Sequence, residues 1–167
     1  ADKDAHAVRM VKPTGEIVTV AGTSFPGNGA DALAPGATTE ISAPNGIWVK
    51  ADGTVYIYDL GNAKVRKLKD GMMETLFTFV GTGSGRGLWV SDDEQVAYIA
   101  AGTELKKWTP TAGVTVLATG FVSLGNLHVS SNGELGVADR DGSLVYMVDR
   151  ETGEKRVIAG NGTAEGG

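Results

Sequence analysis

"GIWVKADGTVYIYDLGNAKVRKLKDGMMETLFTFVG", Gly46–Gly81, is the stretch on which the fold turns. Apolar and polar residues alternate along it in short, β-branched and aromatic runs. Asp52-Gly53, Gly61-Asn62 and Asp70-Gly71 separate those runs. That pattern predicts strand, tight turn, strand, short loop, strand, turn, strand. The same order returns in "GLWVSDDEQVAYIAAGTELKKWTPTAGVTVLATG" (Gly87–Gly120) and in "NLHVSSNGELGVADRDGSLVYMVDRETGEKRVIAG" (Asn126–Gly160). The starts Gly46, Gly87 and Asn126 lie 41 and 39 positions apart. Four strands repeating at about 40 residues describe a propeller blade, because a sandwich does not reuse one four-strand unit in order.

Outward from this core, Ala1–Gly22 aligns with Ala138–Gly160 and supplies the third and fourth strands of a further blade. The expected organisation is a partial blade over 1–22, an inter-blade loop over 23–43, and blades over 44–81, 82–120 and 121–160. Residues 161–167 begin the next crossing. No stretch keeps a 3.6-residue apolar period for three turns, so the expected class is all-β: a β-propeller segment of four-stranded antiparallel blades. Three and a half blades do not close a ring. We therefore expect a segment of a longer propeller that continues past Gly167 into another four-strand unit. Two half-propellers joined as copies, with no activity of their own, are the alternative.

Composition agrees with a folded domain: 167 residues, 41% hydrophobic and 21% charged. The 25 glycines are spread as turn residues. Cysteine is absent, which excludes disulfides, thiolate zinc sites and a thiol nucleophile. Cytosol and periplasm both suit such a chain; a secreted or periplasmic bacterial setting is the expectation. A net charge of −5 argues against an extended nucleic-acid footprint. No apolar run approaches ~18 residues, so no membrane span is expected.

"SAPNGIWVKADGTVYIYDLGNAKVRKL" (Ser42–Leu68) resembles an NHL repeat. It has the Pro-x-Gly lead-in, the hydrophobic first strand, the Asp-Gly turn, a second strand ending in Asp59, the Gly-Asn loop and the Val-Arg third strand. The preceding "VTVAGT…PGNGADALAPGATTEISAPNGI" looks like the long inter-blade loop of bacterial NHL proteins. The second complete blade departs most, with Arg86 in the Asn45 slot and no Asp-Gly turn. The resemblance implies a propeller, usually six-bladed, with first strands lining a central channel.

Asn45, Arg86 and Asn126 stand at or beside the starts of successive first strands, where a propeller opens one mouth of its channel. With His128 they form the candidate ligand-binding set. Asn45 resembles the metal-binding Asn of gluconolactonase-like propellers, which would imply Ca²⁺. Arg86 opposes a cation and suits an anion. Cofactors are otherwise expected to be none. Trp48, Trp89 and His128 share one slot and read as inter-blade packing. His6 sits at a loop-to-strand junction. Asp2, Asp59 and Asp139 recur at second-strand ends, so a structural role is expected: accepting backbone N–H bonds. Lys64, Arg66, Lys67 and Lys69 alternate to opposite faces. Gly81, Gly83, Gly85 and Gly87 precede a strand, not a helix, which disfavours a phosphate loop. No catalytic triad or metal-ligand spacing appears, and Asp92, Asp93 and Glu94 read as a solvated turn.

The expected function is a rigid scaffold presenting loops to a protein or small-molecule ligand, with 23–43 as the foremost contact surface. The expected partners are the remaining blades of the propeller, or a second copy. The enzymatic alternative is a metal-dependent lactonase- or lyase-like propeller.

Overall fold

The computed structural model describes residues 1–81 and 84–163. It divides into two compact units, 1–81 and 82–167. In the first unit, β1 (Val8–Val11) and β2 (Ile17–Ala21) form a two-stranded antiparallel sheet. β3 (Ala34–Pro35), β4 (Pro44–Val49), β5 (Val55–Asp59), β6 (Lys64–Lys69) and β7 (Met72–Thr78) form the second sheet, in the order β3-β7-β6-β5-β4. Four of its strands are the predicted meander. The fifth, β3, comes from the segment expected to be only a loop.

The second unit holds two four-stranded meanders. One runs β8 (Leu88–Val90), β9 (Ala97–Ala101), β10 (Glu104–Thr109) and β11 (Gly113–Ala118). The other runs β12 (Leu124–Val129), β13 (Leu135–Asp139), β14 (Leu144–Val148) and β15 (Lys155–Ala159). Within each sheet, sequence neighbours pair antiparallel. Two three-residue 3₁₀ turns are the only helices among the described residues.

The turn between first and second strands is closed by the same bond three times, across one more residue in the middle blade. Lys50 N–H donates to Thr54 O, Ser91 to Val96 O and Ser130 to Glu134 O, all at 2.9 Å. Gly53 and Gly133 fill the left-handed position in two of them, as the Asp-Gly and Asn-Gly signals predict. In the middle blade Glu94 takes it, at φ 58°. The turn that the sequence lacks is thus made anyway, with a side chain in a glycine's place.

Each unit packs its own two sheets face to face. Val8, Ala21, Ile41, Ile57, Leu68 and Met73 make the first core, and Ile41 brings the long loop into it. The second core joins Tyr98, Ala100 and Leu105 of one sheet to Leu124, Leu127, Leu135 and Val137 of the other. Each fully buried Leu or Ile contributes about 1.5–3 kcal/mol. Lys155 ties the crossing down by donating to Thr119 O and Gly120 O, and its ammonium lies 4.1 Å from the centre of the Phe121 ring.

Two of the recurrent aspartates join a crossing to its own blade, while Asp2 instead pairs with Arg9. Asp59 and Asp139 are buried. Asp59 Oδ1 accepts the Ser42 N–H at 2.7 Å. Asp139 accepts the N–H groups of Val122 and Ser123 at 2.9 and 2.8 Å, and that of Gly142 at 3.3 Å. The structural role is as expected, but the main donors precede the first strand rather than follow the second. Arg66, wholly buried, donates to Asp59 Oδ2 at 3.0 Å, Ala30 O at 2.8 Å, Thr75 Oγ1 at 2.8 Å and Gly29 O at 3.2 Å. Lys64 reaches Asn28 and Asp31 at 2.6 and 2.7 Å. Half of the basic run is therefore interior, and it pins the long loop onto the sheet.

Candidate functional site

The register of the sheets sets the candidate residues in place. Ile47 pairs with Ile57, Leu88 with Ile99 and Leu127 with Val137. Two positions upstream stand Asn45, Arg86 and Gly125, which therefore correspond. Asn126 lies one residue further on than its predicted counterparts. Asn45 is the extra residue of a bulge, since Pro44 pairs with Asp59 and Gly46 with Tyr58. A second bulge spans Gly125 and Asn126, between the pairs Leu124↔Asp139 and Leu127↔Val137. Bulges of this kind re-aim side chains at a sheet's end.

Arg86, Asn126 and His128 come together in the second unit. The N–H groups of Arg86 and Gly87 both donate to Gly125 O, at 2.9 and 3.0 Å. Arg86 thus sits against the bulge of β12. Its side chain is exposed and has no hydrogen-bond or ion-pair partner among the described residues. Asn126 and His128, two apart, share the exposed face of β12, while Leu127 and Val129 point to the core. Asn126 Oδ1 accepts the following N–H at 3.0 Å. His128 was expected in a packing slot with Trp48 and Trp89; those two are half-buried, but His128 is exposed, so the slot is not uniformly interior. Trp89 does pack, stacked on Tyr98 at 5.8 Å.

Four further residues belong to this cluster, none of them a candidate from the sequence. Ser84 Oγ lies 3.2 Å from Ser123 Oγ, and Arg140 donates to Ser123 Oγ at 3.2 Å. Arg140 also donates to both carboxylate oxygens of Asp141, at 2.7 and 3.1 Å. This hydrogen bonding holds the Asp141 carboxyl below its ordinary range. Arg140 is thereby neutralised within the cluster, which leaves Arg86 as its uncompensated charge.

Asn45 is half-buried on β4 in the first unit and belongs to a different sheet. His6 is structural, its Nδ1 accepting the Ala43 N–H at 3.0 Å. Gly85 and Gly87 lie in the irregular segment leading into β8, without a helix. Gly83 lies outside the described residues, as do the last four positions of the 161–167 stretch. Calcium takes six to eight oxygens, with carboxylates among them. The corresponding positions here are Asn, Arg and Gly, and no three His, Asp or Glu side chains group to hold a metal among the described residues. That donor set does not fit the ion.

No helix among the described residues is long and apolar enough to cross a membrane. No family model matches the sequence, and no curated protein matches it. Solved structures do share its fold. A catalytically inactive virginiamycin B lyase from Staphylococcus aureus, with quinupristin, is similar over 93% of this chain and 49% of its own, at 11% identity and TM-score 0.63. A Bacteroides thetaiotaomicron protein of unknown function is similar over 87% of this chain and 42% of its own, at 17% identity and TM-score 0.62. A streptogramin B lyase covers 95% of this chain and 63% of its own, at 14% identity and TM-score 0.54. The chain thus spans about half the length of the first two. Identities this low speak for the fold, and with the repeated meanders they show a β-propeller segment.

Proposed function

We propose that this chain is part of an NHL-type propeller that acts as a recognition scaffold and binds a small anionic ligand at the lead-ins to its inner strands. Further blades, from the same chain or from a second copy, complete the ring. The carrying observation is Arg86, an exposed guanidinium without a side-chain partner among the described residues, set against the β12 bulge beside Asn126 and His128. Its planar fork matches a carboxylate in two-point contact, and the Asn126 amide supplies a neutral donor next to it. Rigid sheets hold these groups still, which lowers the ordering cost of binding. Titration with citrate, followed by the amide signals of Gly87 and Asn126, is expected to give saturable shifts that Arg86→Ala abolishes. Absence of shifts at millimolar citrate refutes the proposal.

A second reading is a lyase-like enzyme, favoured by the two lyases among the structural relatives. In its metal-dependent form, acidic ligands would have to come from outside the described residues. Metal analysis of the longer protein tests it: bound metal lost on Asn45→Ala supports it, and no bound metal sinks that form.

A further inference from the structure

The segment 23–43 is held from beneath and open above. Beneath it, Arg66 donates to the carbonyls of Gly29 and Ala30. Above, Gly29 and Ala30 line a groove of about 490 Å³, together with Phe25, Pro35, Thr38 and Glu40. That volume falls in the range of small-molecule sites. Phe25 is 71% exposed. It follows Ser24 at φ 68°, a conformation that residues with a side chain seldom adopt. The Thr23 hydroxyl accepts the Phe25 N–H at 3.4 Å and steadies this kink. The only aromatic ring of the segment is thus presented to solvent by a fixed backbone.

Glu40 gives the groove its charge. Its carboxylate is exposed and has no hydrogen-bond or ion-pair partner among the described residues. It lies over Gly27, where an added Cβ would collide with the carboxylate. No Lys or Arg lines the groove. The cations below, Arg66 and Lys64, are matched by Asp59 and Asp31. An aromatic face and an unmatched carboxylate in one preorganised groove are complementary to an organic cation.

We infer that this groove binds a small organic cation, an ammonium or guanidinium that rests on the Phe25 ring and pairs with the Glu40 carboxylate. The site is independent of the Arg86 cluster. The probes are choline and agmatine, titrated into ¹⁵N-labelled protein at constant ionic strength. Saturable shifts at the Gly29 and Ala30 amides are expected. Glu40→Gln should weaken binding about fivefold, and Phe25→Leu about two- to fivefold. Gly27→Ala, which displaces the carboxylate without removing it, should act as Glu40→Gln does. Because Phe25 and Glu40 are exposed, these variants keep the fold, and unchanged amide signals of the buried Ile57 and Met73 verify it. Linear shifts, identical shifts with sodium chloride, or affinity unchanged in both Glu40→Gln and Phe25→Leu would overturn the inference.

Discussion

Replacing Arg66 with alanine should destabilise the chain by about 3–4 kcal/mol. Arg66 and Asp59 are both fully buried and lie 3.0 Å apart. Removing one partner of such a pair costs about 3–5 kcal/mol, because the other charge stays behind without its counterion. Here Asp59 keeps two other donors, the Ser42 N–H and the Asn62 amide. Those bonds move the cost toward the low end. The carbonyls of Gly29 and Ala30 and the Thr75 hydroxyl lose their donor as well, which prevents the cost from falling further. The chain carries its own control. Arg9 stands seven residues after Asp2, as Arg66 does after Asp59, but that pair spans 3.4 Å with side chains 34% and 45% exposed. Arg9→Ala should cost about 0–1 kcal/mol. Urea titration by tryptophan fluorescence, with unchanged m-values, measures both. A cost below about 1 kcal/mol for Arg66→Ala, or equal costs for the two variants, would refute the reasoning. Faster exchange of the Thr75 amide, which donates to Asp31 O at 2.9 Å, should accompany the loss.

Two further outcomes follow from the loop and the turns. Hydrogen bonds from Lys64 and then Thr75 hold the Asp31 carboxyl below its ordinary range. A depressed carboxylate stabilises the fold above its unfolded value, and that contribution is lost as pH falls through the folded value. The 23–43 segment should therefore loosen below the usual carboxylate range, seen as broadening of the Gly29 and Thr75 amide signals; an Asp31→Asn variant should lack that step. Glu94→Gly, by relieving the left-handed φ of 58°, should stabilise the chain by about 0.5–1 kcal/mol in the same urea assay, and a loss of stability would count against the strain.

The repeat was legible because alternation and turn residues are local. Asp59 and Asp139 showed themselves by recurring at one position, which argued structure before any bond was seen. Arg66 was not legible as interior. In "KVRKLK" it reads as one charge among four, and its partners lie seven to 37 residues away, at the end of β5, on β7 and on a loop without periodicity. For the same reason 23–43 read as a free surface loop, although β3, Ile41 and Arg66 fasten it to the sheet. At the candidate site, His128 shares a repeat slot with Trp48 and Trp89 and so read as packing; its exposure left no mark in the sequence. The bulges were not visible, because one unpaired residue in a strand leaves no mark on composition. They change where Asn45 and Asn126 aim, whereas the correspondence of Gly125 with Asn45 and Arg86 already lies in the repeat starts Gly46, Gly87 and Asn126.

The aspartate that ends the second strand in two of the three complete blades has a consequence for how such a chain can grow. Asp59 binds Ser42, and Asp139 binds Val122 and Ser123, so each carboxylate fastens the connection that leads into its own sheet. A gene segment copied from about residue 41 to residue 81 would take both the lock and its keyhole with it. New copies would then arrive already wired to receive the chain, whichever neighbour stood before them. Lengthening by duplication asks no matching change elsewhere. The middle blade has Ala101 in place of that aspartate and still packs on the sheet that follows it, so a copy can drift at this position and keep its core.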